Sequence, residues 1–178
     1  MRSSTRREMI AGPAGKIECA VDEPEGRSAR GVALVAHPHP LHGGTLDNKV
    51  AQTLARAFVE LGYSAWRPNF RGVGASEGRH DEGRGEVDDL AAVITHLQAS
   101  RPVLAGFSFG AAVQTRLAQR VSPERMVLVG VAVQHLEAVP VPANTILIHG
   151  EADSTVPLAE VLAWARPQDL PVVVVPGA

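Results

Sequence analysis

The chain has 178 residues, of which 45% are hydrophobic and 20% charged, and its formal net charge is −2 at pH 7. A chain of this length buries a substantial core, and its composition is that of an ordinary globular protein. The basic residues are scattered rather than arranged in a stripe that could follow phosphates, which argues against a nucleic-acid partner. The single cysteine, Cys19, excludes an intrachain disulfide and fits a small apolar position in an early strand.

The chain shows no targeting or membrane signal. Its first 16 residues are basic but lack the apolar run of a secretory signal. The longest apolar runs, such as GVALVA and VVVV, are far too short to span a bilayer. We therefore expect a soluble, cytoplasmic protein without a membrane partner.

Short β-type runs alternate with helical patterns along the chain. The run GVALVAH (31–37) is continuous and apolar, which is typical of a parallel strand covered on both faces. A helical pattern follows, with Thr45 or Asp47 as N-cap and Gly62 beyond its end. The run SAWRPNF (64–70) predicts the next strand, and a glycine-rich loop comes after it.

The alternation continues with a helix that begins near Glu86. The remaining segments are predicted as a strand, a helix, two strands, a helix and a last strand: 101–108, 109–121, 125–133, 144–150, 157–165 and 171–175. Two weaker β segments, around Met9 and from Lys16 to Val21, would form an antiparallel edge. This order predicts an α/β fold, a mostly parallel sheet with helices on both faces, in one domain over residues 1–178.

The chain stops on an apolar strand, at VVVVPGA. The alternation predicts one further helix over this part of the sheet, so we expect the domain to be incomplete at its C-terminus. Apolar sheet surface from Val172 to Val175 would then be uncovered, and uncovered apolar patches promote association. We expect either a homodimer through this region or poor solubility.

The motif G-F-S-F-G, residues 106–110, lies at the junction of a predicted strand and a predicted helix. This context is typical of a nucleophile elbow, in which a serine is held on a sharp turn. Side chains at Gly106 and Gly110 would collide with the neighbouring strand and helix, and the helix that follows favours a developing oxyanion. We predict Ser108 as a nucleophile; the alternative is a turn serine that caps a helix.

We expect the acid that orients the catalytic base at the carboxyl ends of the strands, because an open α/β sheet binds its ligands there. Asp153 follows a predicted strand, and a carboxylate there can orient an imidazole. Serine before aspartate is the chain order of the α/β-hydrolase triad. Glu151 is the competing acid, and a plain turn aspartate is the alternative.

An oxyanion hole needs one amide from the loop HPHPLHGGT and one from the residue after the nucleophile, Phe109. The prolines of this loop have no N–H, so the amide of His39 is the best donor and that of Leu41 the reserve. We expect Leu41, Phe107 and Val156 to line a pocket for small to medium apolar esters.

The same loop has the spacing H-x-H-x-x-H at His37, His39 and His42, which resembles that of some dinuclear metal-dependent hydrolases. Leu41 replaces the aspartate usual before the last histidine, and no other cluster completes the ligands. We therefore expect no metal, and we expect His37 and His42 to shape the loop through hydrogen bonds.

A second glycine-rich loop, NFRGVGASEG, does not match the dinucleotide fingerprint, and we expect no cofactor. We interpret Arg71 as structural, bracing loops against Asp81, Glu86 or Asp88.

The segments HPHPLHGGTLDNKV, NFRGVGASEG, GEVDDL, AGFSFGA and HGEADSTVP resemble those of small, lidless bacterial serine hydrolases of the α/β-hydrolase superfamily, which are dienelactone-hydrolase-like or esterase-like. The resemblance covers about residues 10–178. It implies a carboxylesterase-like enzyme for a small-molecule ester. In this enzyme Ser108 is the nucleophile, Asp153 the orienting acid, and the amides of His39 and Phe109 the oxyanion hole. Only about ten residues separate VGVAV from NTILIHG, where many relatives insert a cap, so the site should be open.

The sequence departs from this family at one catalytic group. Family members typically carry the catalytic histidine in a segment after the last strand, together with a closing helix, and no histidine follows Asp153 here. His96 is expected to be remote. The histidines considered as substitute bases are His135, the most accessible one, His149, His37 and His39. We interpret the chain as a C-terminally shortened triad hydrolase, nearly inactive by itself; the alternative is a non-catalytic binding module that uses the same pocket.

Overall fold

The structure is a computed structural model and describes residues 5–134 and 136–178. The described residues form eight strands: β1 (Arg6–Gly12), β2 (Gly15–Asp22), β3 (Val32–Ala36), β4 (Ser64–Pro68), β5 (Val103–Phe107), β6 (Arg125–Val129), β7 (Thr145–Gly150) and β8 (Val172–Val175). Their helices are α1 (Lys49–Glu60), α2 (Arg84–His96), α3 (Phe109–Leu117) and α4 (Leu158–Ala165), with short 3-10 turns at Pro40–His42 and Arg166–Gln168.

The strands lie in one sheet in the order β1-β2-β4-β3-β5-β6-β7-β8. The β1–β2 hairpin is antiparallel, and β2 pairs antiparallel with β4. All pairs from β4 to β8 are parallel. Since parallel strands bring their carboxyl ends to one edge, the loops after β3, β4, β5 and β7 share this edge. The predicted mostly parallel sheet with an antiparallel edge is confirmed.

Helices cover both faces of the sheet. Along β3, Ala33 and Val35 belong to one buried cluster and Leu34 and Ala36 to another, because successive strand residues point to opposite faces. The first cluster includes residues of α1, and the second includes residues of α2, α3 and α4. The run over 31–37 is therefore continuously apolar because both of its faces are covered.

The helix and strand ends differ from the predicted ones at identifiable residues. The N-cap of α1 is Asn48, not Thr45 or Asp47, and its side chain accepts hydrogen bonds from the amides of the first helical turn. The helix α3 ends at Leu117, before the predicted 121. The strand β6 ends at Val129 because Gly130 follows with φ of 52°, a left-handed conformation that stops an extended strand.

The last strand lies at the edge of the sheet and is exposed. Val173, Val174 and Val175 are 52%, 39% and 40% exposed, whereas Val172 packs against the core. The expected uncovered apolar surface is thus present over three of these four residues. Among the described helices, none has the length and apolarity that a bilayer crossing requires.

Candidate active site

Ser108 stands alone between the end of β5 and the start of α3. Its φ of 54° and ψ of −116° lie outside the regions that residues with a side chain prefer. The Ser108 N–H donates to Val129 O at 2.9 Å, and its carbonyl accepts from the amides of Ala112 and Ala132. The hydroxyl forms no cap on α3, so the alternative of a helix-capping serine is wrong. The side chain is partly exposed.

The two glycines of the motif allow backbone segments to approach closely. A Cβ on Gly106 would lie 2.7 Å from Ala111 N, and one on Gly110 would lie 2.4 Å from His37 O. No side chain fits at these distances, so the turn requires glycine at both positions. The predicted collisions with the following helix and the neighbouring strand segment are confirmed.

The loop after β3 packs against the start of α3. The rings of His39 and Phe109 have their centroids 4.7 Å apart. As the first residue of α3, Phe109 has no intrahelical acceptor for its N–H. The amide of Leu41 donates to His39 Nδ1 at 3.2 Å, so Leu41 is not available as the reserve oxyanion donor.

His37 is buried and shapes this loop. Its Nδ1 lies 2.7 Å from Pro38 O, and its Nε2 accepts from the Phe70 amide at 3.0 Å. Burial lowers the pKa of His37 to about 4, because it disfavours the charged imidazolium. Since both ring nitrogens are occupied, His37 can neither ligate a metal with His39 and His42 nor act as a substitute base. No group of three metal-ligating side chains occurs among the described residues.

Asp153 lies in the loop after β7, and its two carboxylate oxygens have different surroundings. Oδ1 accepts from the amides of Thr155 and Val156, both at 2.9 Å. Oδ2 points toward the end of β6, where a Cβ on Gly130 would lie 3.8 Å from it and 3.1 Å from the Phe107 ring. Asp153 therefore approaches the strand end that carries Ser108, with one oxygen fixed by the backbone.

The competing acid and the other histidines have different surroundings. Glu151 is exposed, and its Oε2 accepts from the Gly177 amide. His149 is fully buried in β7, and its Nε2 contacts Val156 O at 2.7 Å, which holds the Asp153 loop closed. His96 is exposed at the end of α2, as expected for a remote residue. His135 lies outside the described residues.

A cleft of about 730 Å³ opens beside the turn that carries Ser108. The described residues that line it are His39, Leu41, His42, His80, Glu82, Arg84, Phe109, Arg116, Gln134, Leu136 and Glu137. Leu41 is at the cleft as predicted, but Phe107 and Val156 do not line it. Phe107 lies beside Gly130, and Val156 is buried beneath the acid loop. The lining is mostly polar and so differs from the apolar pocket that the sequence led us to expect.

Comparison with known proteins supports the α/β fold described above. A family model described as serine aminopeptidase, S33, matches residues 36–170. The chain belongs to this family.

Three relatives of this S33-family chain are informative. A serine hydrolase homologue from Coxiella burnetii is 37% identical, with a TM-score of 0.88 over 100% of this chain and 89% of its own. A lidless serine hydrolase from Xanthomonas campestris is 35% identical, with a TM-score of 0.91 over 100% of this chain and 86% of its own. An uncharacterised protein from Rickettsia prowazekii is 40% identical over 140 residues, which are 76% of this chain and 55% of that protein. The chain thus spans about half the length of this curated relative.

The two solved structures show that the chain has the fold of a small α/β serine hydrolase, and the one from Xanthomonas campestris has no lid. The segment between β6 and β7, where a cap would stand, is only residues 130–144.

Arg71 lies in the loop after β4 and joins it to helix α2 through Asp89. Its Nε and Nη2 donate to the two oxygens of Asp89 at 2.7 and 2.8 Å, so the predicted partners Asp81, Glu86 and Asp88 are wrong. The hydrogen bonds to Asp89 raise the pKa of Arg71, while burial raises that of Asp89 against the opposing effect of Arg71.

Proposed function

We propose that this protein hydrolyses carboxylic esters of small molecules, with Ser108 as the nucleophile. The observation that carries the proposal is the turn at Ser108, where a strained φ of 54° presents an uncapped hydroxyl at the N-terminus of α3. Strain of this kind persists only where the surroundings hold it, and it concentrates at functional sites. Membership of a serine hydrolase family supports the same role.

In this mechanism the Ser108 Oγ attacks the ester carbonyl, and the developing oxyanion is bound by the backbone amides of His39 and Phe109. The close packing of the two residues supports this pairing. Asp153 orients an imidazole and stabilises its cationic form through Oδ2, since Oδ1 is held by two amides. The imidazole takes the Ser108 proton and gives it to the leaving alcohol as the ester bond breaks. It then takes a proton from water, which hydrolyses the acyl-serine to the carboxylic acid and the free hydroxyl.

The remaining component of the proposed triad is the general base. The backbone at Ala178 lies beside the acid loop, where Ala178 O accepts from the Ala152 amide at 2.7 Å. A histidine joined to the chain at this point would enter the site next to Asp153. We therefore propose that the base is an imidazole held next to Asp153 and that neither His37 nor His149 supplies it, since both are buried and bonded.

The test compares three proteins: the chain itself, the chain with a short tail carrying one histidine, and the same tail with alanine. The histidine tail should raise kcat/KM for a short-chain chromogenic ester by at least about 10³-fold over the alanine tail, because a triad acts as a unit. Ser108→Ala and Asp153→Asn in the tailed chain should remove this gain. A chelator should have no effect.

A non-catalytic binding module is the second candidate, favoured by the burial of both nearby histidines, His37 and His149. It predicts that no tail restores turnover and that a serine-reactive phosphonate leaves Ser108 unmodified in every protein. Modification of Ser108 together with turnover would exclude it, and chelator-sensitive turnover would contradict both candidates.

A further inference from the structure

The cleft lining includes an arginine, Arg116. Arg116 lies on α3 and is partly buried. Its Nη2 donates to Leu136 O, and it forms no ion pair with any carboxylate among the described residues. Removing a guanidinium from water without an anionic partner is unfavourable. An arginine placed in this way in a cleft is therefore suited to an anionic ligand.

The cleft lining also includes an imidazole, that of His80, close to a buried carboxylate. His80 Nδ1 lies 2.8 Å from Oε1 of Glu86, a fully buried carboxylate that also accepts from the amides of Asp81 and Gly83. The other ring nitrogen, Nε2, has no hydrogen-bond partner in the described part of the chain. His80 thus lines the cleft next to a buried carboxylate.

The spacing along α3 relates these groups to the reacting end of the site. Phe109 and Arg116 both line the cleft and are seven residues apart, so they share one face of the helix about 10 Å apart. The His80 ring packs near Phe109, with centroids 5.5 Å apart. The cleft thus runs from the proposed oxyanion site along α3 to the guanidinium.

The remaining charges of the cleft do not neutralise Arg116. Arg84 is 3.3 Å from Asp81 and 3.9 Å from Glu82, so these exposed groups pair with one another at the rim. Glu137 is exposed and forms no ion pair among the described residues.

We propose that the cleft binds an acyl group whose far end carries a carboxylate, with Arg116 as its anchor. The substrate class is therefore a monoester of a dicarboxylic acid rather than a purely apolar ester. This assignment rests on the proposed ester hydrolysis at Ser108, but the binding of the carboxylate can be measured without turnover.

The experiment titrates the chain with adipate and suberate at constant ionic strength, by calorimetry and by amide shifts around Phe109. Adipamide serves as the uncharged probe. Saturable binding of a dicarboxylate, at least tenfold tighter than that of the diamide, is expected. Arg116→Gln, which retains a donor for Leu136 O, should weaken dicarboxylate binding at least tenfold, and Arg116→Lys should recover most of it.

The matched control is Arg120→Gln, because Arg120 pairs with exposed Asp88 and does not line the cleft. It should bind dicarboxylates as the unsubstituted chain does. Equal binding by Arg116→Gln and the unsubstituted chain, or equal binding of adipate and adipamide, would overturn the assignment. Failure of a phosphonate to label Ser108 in the histidine-tailed chain would instead remove the proposed function, so the two failures are distinct.

Discussion

At the scale of single residues, the candidate site contains two features that cost free energy: a strained backbone at Ser108 and a buried imidazole at His37. Ser108 has a backbone conformation that glycine tolerates far better, at a cost of about 1–3 kcal/mol for other residues. Hydrogen bonds to Val129, Ala112 and Ala132 hold it there. His37 is likewise fixed in its neutral form by burial. Each of these features lowers the free energy of unfolding, and each helps to fix the geometry of a strand-end loop.

Ser108→Gly is expected to raise the free energy of unfolding by about 1 kcal/mol over Ser108→Ala, because it removes the backbone strain. Urea denaturation measures the difference. Both variants should lose labelling by a serine-reactive phosphonate in the tailed chain. Equal stability of the two variants would show that the turn is not strained.

The pH dependence of stability should contain a contribution from His37. Its pKa is lowered from 6.5 to about 4 in the folded protein. Between these values the unfolded chain binds a proton that the folded protein does not, so stability falls as the pH falls. The full loss approaches about 3 kcal/mol near pH 4. Urea denaturation at pH 7, 5.5 and 4.5 should show a flatter profile for His37→Gln than for His96→Gln, whose histidine is exposed; equal profiles would refute this cause.

At the scale of elements, one buried ion pair joins the loop after β4 to helix α2. The side chains of Arg71 and Asp89 are 12% and 3% exposed, so neither charge is compensated by water once its partner is lost. Gly85 leaves the space for this contact, since a Cβ there would lie 1.9 Å from Arg71 Nη1. The pair fixes the loop that carries His80 relative to the helix that carries Glu86.

Asp89→Asn should destabilise the protein by about 3 kcal/mol, because it leaves the buried guanidinium uncompensated. The neighbouring Asp88→Asn removes only an exposed pair with Arg120 and should cost less than about 0.5 kcal/mol. Chemical denaturation of the two variants measures both values. Similar losses for the two would contradict the assignment of Asp89 as the partner of Arg71.

At the scale of the whole molecule, the edge strand β8 exposes three consecutive valines, Val173 to Val175. Its unpaired edge and its exposed valines offer both hydrogen-bonding groups and apolar area to a second strand. We propose that two copies associate through this edge.

Sedimentation velocity of the chain should therefore show concentration-dependent association. The double substitution Val173→Lys and Val175→Lys places charge on one face of the strand and should shift the population to monomer. Met9→Lys, a change of similar size at an exposed position on β1, should not. An unsubstituted chain that stays monomeric at high concentration would contradict the proposal.

The sequence alone determined the element order, the parallel sheet and the turn at Ser108. These features follow from local patterns: continuous apolar runs, helical periodicity, and glycines on each side of one serine. Asp153 was predicted as the acid because chain order and strand ends restrict the choice, and this assignment stays a proposal. The partner of Arg71 was not, since Asp81, Glu86, Asp88 and Asp89 lie within nine residues of one another in sequence and only the packing of α2 selects one.

Only the tertiary structure decided the character of the cleft. His80 and Arg116 are far apart in the chain, and the loop after β4 and helix α3 bring them to one cavity. It likewise decided that His37 is a buried loop-former rather than a ligand or base, because burial and two hydrogen bonds are properties of its surroundings. Local patterns specify elements, whereas the partners and solvation of a side chain depend on residues distant in sequence.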